Sequence, residues 1–177
     1  ATGAPSIKLT IPEGFNLREI GARLEEKGLV TKDEFLKAAA EEDFSFSFLE
    51  GIPKGPQRLE GFLFPDTYLI HENASPKDII EVMLKRFGQV YDEKMQKRAK
   101  DLGLSTLELV TMASIIEKEA KLERERPIIA GVFYNRLQAK WRLESCATIQ
   151  FLLDEPKEDL LYSDLEIESP YNTYKYS

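Results

Sequence analysis

The sequence predicts an α+β fold, with a small strand–helix–helix subdomain followed by a mainly helical one that carries short strands. Three observations lead there. Residues 6–11 alternate polar and apolar side chains, the period of a half-buried strand. Three helix-opening patterns, Asn16 with Glu19, Thr31 with Glu34 and Ser105 with Glu108, place an acid three residues after a capping side chain. Helical apolar spacing then recurs through the second half without an internal repeat or a low-complexity tract.

The elements follow in order. After the strand, Pro12-Glu13-Gly14 predicts a turn. Leu17, Ile20 and Leu24 give the first helix its stripe, and Gly28 ends it. A second helix runs from Thr31 to about Glu41. Residues 43–58 read as a loop or broken helix anchored by Phe44, Phe46, Phe48 and Leu49 and punctuated by Gly51, Pro53, Gly55 and Pro56. The stretch 59–70 predicts two short extended segments bent at Pro65. Ser75 is placed to cap a helix reaching about Tyr91, and a basic, polar helix follows at 92–101, broken by Gly103. Ser105 opens a helix through Glu119. Pro127 suits the first turn of the next. A further helix is expected at 146–153, then an acid-rich loop.

Composition narrows the function classes. The chain has 177 residues, 42% of them hydrophobic and 31% charged, which is compatible with a buried core. A formal charge of -7 argues against nucleic acid as a partner and against a polybasic membrane surface. It leaves carbohydrate open, since sugars are held by hydrogen bonds and apolar contact. One cysteine, Cys146, permits no internal disulfide, and one histidine, His71, permits no multi-histidine metal site. A Cys146–His71 thiol site is disfavoured because His71 sits in a distant polar turn. The late acids Asp154, Glu155, Glu158, Asp159, Asp164, Glu166 and Glu168 lack calcium-loop spacing and predict a solvated acidic face. No metal and no cofactor is expected. No apolar stretch approaches a membrane span, and the start at Ala1 suggests a piece of something longer.

Glu119 is the most informative residue. At roughly 100° per residue it falls within about 60° of Met112, Ile115 and Ile116 on the helix wheel. A carboxyl group among apolar neighbours loses hydration, which favours the acid form that a general acid needs. The alternative is that the helix frays and Glu119 reaches solvent or pairs with Arg124 or Arg126. Glu60 is the second carboxylate of interest, either facing substrate or holding the bend at Gly61. Asp66 reads as a turn-fixing residue after Pro65. Tyr68, Tyr171 and Asn172 offer hydroxyls, ring faces and an amide suited to a sugar. Ser114 and Asn135 are candidates to hydrogen-bond near Glu119, Asn135 equally to cap its own helix. Arg126 reads as structural.

Four segments carry a resemblance: Leu59-Glu60-Gly61-Phe62-Leu63-Phe64-Pro65-Asp66-Thr67-Tyr68, then Met112 to Ala120, then Glu125-Arg126 with Val132-Phe133-Tyr134-Asn135-Arg136-Leu137, and Ser169-Pro170-Tyr171-Asn172-Thr173-Tyr174. In this order they resemble the endolytic murein transglycosylase (MltG/YceG-like) family over nearly the whole chain. The resemblance implies a LysM-like subdomain with its connecting loop at 1–58, with 59–70 a candidate to complete its sheet. It implies a catalytic subdomain at 59–177, cut short at its C-terminus before a Gly-Pro-Pro-rich continuation. It makes Glu119, the second Glu of Glu117-Lys118-Glu119, the catalytic acid/base. It favours Tyr171 and Asn172 as substrate-binding residues, to which the reading of the residues adds Glu60, Ser114 and Asn135 as candidates.

The implied activity is lytic cleavage between N-acetylmuramic acid and N-acetylglucosamine within peptidoglycan strands, leaving 1,6-anhydro ends and limiting strand length. The implied setting is a bacterial inner membrane, anchored by one N-terminal span, facing the periplasm beside peptidoglycan synthases. Rival readings are a non-catalytic peptidoglycan-binding module and a hydrolase that uses water. A third, aminodeoxychorismate lyase, is a label sometimes attached to the family. It would require pyridoxal phosphate on a Schiff-base lysine, and the sequence presents no such site. Two departures bear on substrate contacts: Trp141-Arg142-Leu143 stands where Met or Pro is frequent before Leu, and Cys146-Ala147 replaces an Asp-Pro pair.

Overall fold

The computed structural model describes residues 5–153 and 155–176; Asp154, named above among the late acids, lies outside them, as do residues 1–4 and Ser177. The chain divides into two compact units, 1–110 and 111–177. The core of the first unit joins Leu9, Leu24 and Phe35 to Phe62, Met83 and Val110.

In the first unit, strand β1 (Ser6–Thr10) pairs antiparallel with β2 (Thr67–His71), matching Leu9 with Tyr68 and Ile7 with Ile70. The backbone N–H of Ile11 extends the pairing by donating to Asp66 O at 2.9 Å. Within the segment 59–70 only the residues from Thr67 onward are strand. Helices α1 (Leu17–Glu26) and α2 (Lys32–Glu41) open with reciprocal capping boxes at Asn16/Glu19 and Thr31/Glu34. These satisfy N–H groups that a helix start leaves unpaired. Helix α3 (Pro76–Val90) opens with Ser75/Asp78 and has Pro in its first turn. Helix α4 (Glu93–Asp101) is capped by Asp92. Phe48, Phe62, Phe87 and Tyr91 form an aromatic cluster with the ring centroids of contacting pairs 4.9 to 6.1 Å apart.

Residues 59–64 correct one expectation. They turn through Phe62 and bend at Leu63 in place of extended chain, with Phe62 N donating to Leu59 O at 3.0 Å and Glu60 N to Gln57 O at 3.0 Å. Turning the chain there buries Leu59, Phe62 and Leu63 together.

Helix α5 (Thr106–Glu119) opens on the Ser105/Glu108 box and crosses the division between units. The second unit continues with α6 (Arg126–Gln138) and α7 (Cys146–Leu152), then turns to its end. Met112, Ile115, Phe133 and Ile149 are buried. Among the described residues no helix is long and apolar enough to cross a membrane.

Candidate active site

Glu119 closes α5 as its last residue, half-buried, on the stripe of the buried Met112 and Ile115. Its carboxylate accepts two hydrogen bonds on Oε1: a short one from Ser145 Oγ, and one from the backbone N–H of Ala147 at 3.2 Å. Ala147 lies in the first turn of α7, where backbone N–H groups lack helical partners. Glu119 thus supplies from a distant helix the capping acceptor that Ser145, at the N-cap of α7, does not give. Glu119 stays within its helix, half-buried, and among the described residues no arginine pairs with it. Arg126 instead meets Glu117, at 3.0 Å.

The turn between α6 and α7 delivers Ser145. Helix α6 ends in a Schellman arrangement: Trp141 N donates to Arg136 O at 2.8 Å and Lys140 N to Leu137 O at 3.0 Å, with Lys140 at φ 55°. Glu144 also takes a left-handed conformation, φ 52°, which costs a non-glycine residue roughly 1–2 kcal/mol. Its N–H donates to Thr173 O at 3.1 Å, and Arg136 reaches Leu143 O at 2.5 Å. These bonds hold the strained turn that brings Ser145 to Glu119.

Tyr174 stands next to this group. Its hydroxyl lies 3.1 Å from Cys146 Sγ, and its pKa is pushed up to about 12 by burial first, then by Cys146 and the charges of Glu119 and Glu144. It is therefore a neutral phenol at working pH.

The other expected site residues divide. Ser114 is exposed and turns its hydroxyl back to Thr111 O at 2.7 Å, a bond within its own helix. Asn135 is exposed on α6. Tyr171 is 47% exposed, its ring edge-on to Phe151 with centroids 5.8 Å apart. Asn172 is fully buried. Its amide donates to Leu165 O and Ile167 O at 2.8 Å each, and its Oδ1 accepts from Tyr174 N at 3.0 Å. It organises the late turns and thereby sets Thr173 and Tyr174. Cys146 is exposed; His71, in the first unit, accepts from Asn73 N at 3.1 Å. The late acids are not uniformly solvated: Asp164 is buried against Lys157 at 2.6 Å, and Glu166 and Glu168 both pair with Lys175.

Glu60 belongs to the first unit, where both carboxylate oxygens accept from Leu17 N at 3.3 and 3.1 Å. It caps α1 from the turn before Gly61. Burial pushes its pKa up to about 7, against the opposing pull of that N–H and of Arg18. Asp66 fixes the start of β2, accepting from Thr67 N and from Arg86 Nε at 2.6 Å, and both bonds hold its pKa below the usual range. Tyr68 is buried and donates to Phe64 O, and burial raises its pKa.

The Glu60 shift predicts a pH effect. An acid whose folded pKa exceeds its unfolded value of 4.5 contributes most stability below 4.5 and loses it as pH rises through about 7. The loss is at most on the order of 3 kcal/mol. Glu60→Gln keeps an oxygen for Leu17 N and removes the charge. Urea unfolding is expected to show the variant gaining on the wild type between pH 5 and pH 8. Parallel pH dependence in the two proteins would show that Glu60 ionises freely.

The family model described as the YceG-like family matches residues 1–177. The chain belongs to the YceG-like family. Among relatives of this YceG-like chain is an endolytic murein transglycosylase of Bacillus subtilis, 36% identical over 99% of the chain and 51% of the relative. Another, of the same name, comes from Streptococcus pneumoniae and is 34% identical over 94% of the chain and 34% of the relative. The YceG-like chain spans about half, or less, of the length of these relatives. A crystal structure of a YceG-like protein from Listeria monocytogenes superposes with a TM-score of 0.81 at 36% identity, covering 96% of this chain and 60% of that one. The α+β architecture is thus shared with a solved relative.

Sequence reasoning missed Ser145, Ala147, Thr173 and Tyr174. Ser145 precedes a helix, so its hydroxyl reads as an ordinary N-cap. Only its distant partner, 26 residues away, gives it a different use.

Proposed function

We propose that this chain carries the catalytic part of a lytic transglycosylase that cuts peptidoglycan strands between N-acetylmuramic acid and N-acetylglucosamine. The observation that carries the reading is a half-buried Glu119 whose carboxyl is anchored at one oxygen by Ser145 and Ala147. The names of the relatives from B. subtilis and S. pneumoniae supply the substrate class.

In the proposed reaction Glu119 protonates the glycosidic oxygen as the bond to the muramic anomeric carbon breaks. The N-acetylglucosamine leaves with a free 4-hydroxyl. The muramic 6-hydroxyl then attacks the anomeric carbon from within the same sugar, and its proton passes to the Glu119 carboxylate. The product is a 1,6-anhydro end, no water is consumed, and Glu119 returns to its acid form. One carboxyl serves both steps because acid and base are needed in turn, unlike the two-carboxylate arrangement of most glycosidases. Tyr171, exposed beside this unit's late turns, is the residue best placed to offer a sugar a ring face and a hydroxyl. The geometry of Asn172 and Glu60 supports holding roles for both.

The family likeness further supports a full-length protein anchored in the bacterial inner membrane, with this part on the extracytoplasmic side. It also supports action beside peptidoglycan synthases, where cutting limits strand length.

Uncrosslinked glycan strands incubated with the protein are expected to be released as fragments with anhydro ends by mass spectrometry. Retention on strands without fragments would support a binding module instead.

A further inference from the structure

The two oxygens of Glu119 have different surroundings. Oε1 accepts from Ser145 Oγ and from Ala147 N, while among the described residues no donor reaches Oε2. Ser145 is 2% exposed and its backbone is held from both sides. Its N–H donates to Thr173 Oγ1 at 3.0 Å, and its carbonyl accepts from Thr148 Oγ1 at 2.8 Å. The two threonine hydroxyls are 2.9 Å apart.

Counting protons orients this ring. Each hydroxyl carries one hydrogen. That of Thr148 is committed to the Ser145 carbonyl, so Thr173 must donate to Thr148. Thr173 then has a lone pair left for the Ser145 N–H, and every member is satisfied. The Ser145 hydroxyl hydrogen is left for Glu119. Were Oε1 to carry the acid proton, it would have to donate to Ser145 Oγ. The buried Ser145 hydrogen would then lose its acceptor, at a cost of about 1–3 kcal/mol.

We infer that Ser145 is a positioning residue that decides which oxygen of Glu119 reacts. Oε1 is the anchored acceptor, Oε2 gives and recovers the proton, and Thr148 and Thr173 hold Ser145 in place. The inference rests on the lytic reading and adds to it an atom-level division of labour. Anchoring one oxygen fixes the carboxyl plane and points the other at substrate, and small displacements of a reacting group are expensive in rate.

The test is steady-state kinetics of anhydro-end formation with Ser145→Ala, Thr173→Val and Thr173→Ser. Ser145→Ala is expected to lower kcat about 10- to 100-fold and to leave KM within about twofold, the pattern of an interaction felt in the transition state. Thr173→Val should lower kcat in the same sense, while Thr173→Ser, which keeps the hydroxyl, should restore it. In a Glu119→Gln background, adding Ser145→Ala should leave strand affinity by calorimetry unchanged, because Ser145 acts only through the carboxyl. A wild-type kcat in Ser145→Ala, or equal impairment in both Thr173 variants, would overturn the assignment. If Ser145→Ala fails to fold, the Thr173 pair decides. A wild type that forms no anhydro ends would fail the lytic reading itself and remove the inference with it.

Discussion

Glu119→Gln is expected to lower the rate of anhydro-end formation by about 100- to 10,000-fold, the range for losing a general acid–base group. The fold should survive. The variant's amide oxygen still accepts from Ser145 Oγ and Ala147 N, the two bonds that tie α5 to the start of α7. Thermal unfolding should therefore be nearly unchanged, and strand binding retained. Loss of activity with loss of stability would instead make Glu119 a helix anchor. Activity within a few-fold of wild type would remove it from the chemistry.

Gly61→Ala is expected to destabilise the first unit by about 2–5 kcal/mol, as two costs add. Gly61 has φ +82°, and a Cβ there would lie 2.6 Å from Val110 Cγ1. The left-handed backbone contributes about 1–2 kcal/mol and the overlap a further 1–3. Two comparisons separate them. Gly51 also has positive φ, +79°, but nothing lies within 4 Å of its would-be Cβ, so Gly51→Ala should show the backbone cost alone. Val110→Ala should relieve the overlap, making the Gly61→Ala/Val110→Ala double variant less unstable than the sum of the singles. Denaturant melts of the four variants measure this directly. Strict additivity would mean that the Gly61 turn is not closed by Val110.

The contrast between what was legible and what was not follows from the range of the interactions. The capping boxes at Asn16, Thr31 and Ser105 are local: donor and acceptor lie three residues apart, so residue type and spacing suffice, and each forms as expected. Glu119 was legible because helical periodicity places it on an apolar stripe, and the structure keeps it half-buried there. Leu59 to Phe64 were misread as extended because a short apolar run fits strand and turn alike. The separations of three and four between Leu59, Phe62 and Leu63 were a helical-turn signal left unused. Asn172 has the residue type of a sugar ligand, but its amide closes two turns of its own segment, which composition does not reveal. Ser145 depends on a partner 26 residues away and on a strained turn at Glu144. Neither has a local signature.

Cys146 and Ala147 open α7. Ala147 keeps a backbone N–H, and that N–H donates to Glu119. Proline at this position would have no such donor. In this chain the anchor on Oε1 is therefore doubled, by the Ser145 hydroxyl and the Ala147 N–H.

In the proposed reaction the sugar's own hydroxyl, and not water, takes the place of the leaving group while Glu119 manages the proton. Digestion of uncrosslinked strands in water enriched in oxygen-18, followed by mass spectrometry of the muramic ends, tests it most directly. Anhydro ends carrying no heavy oxygen are the predicted result; reducing ends labelled with oxygen-18 would contradict it.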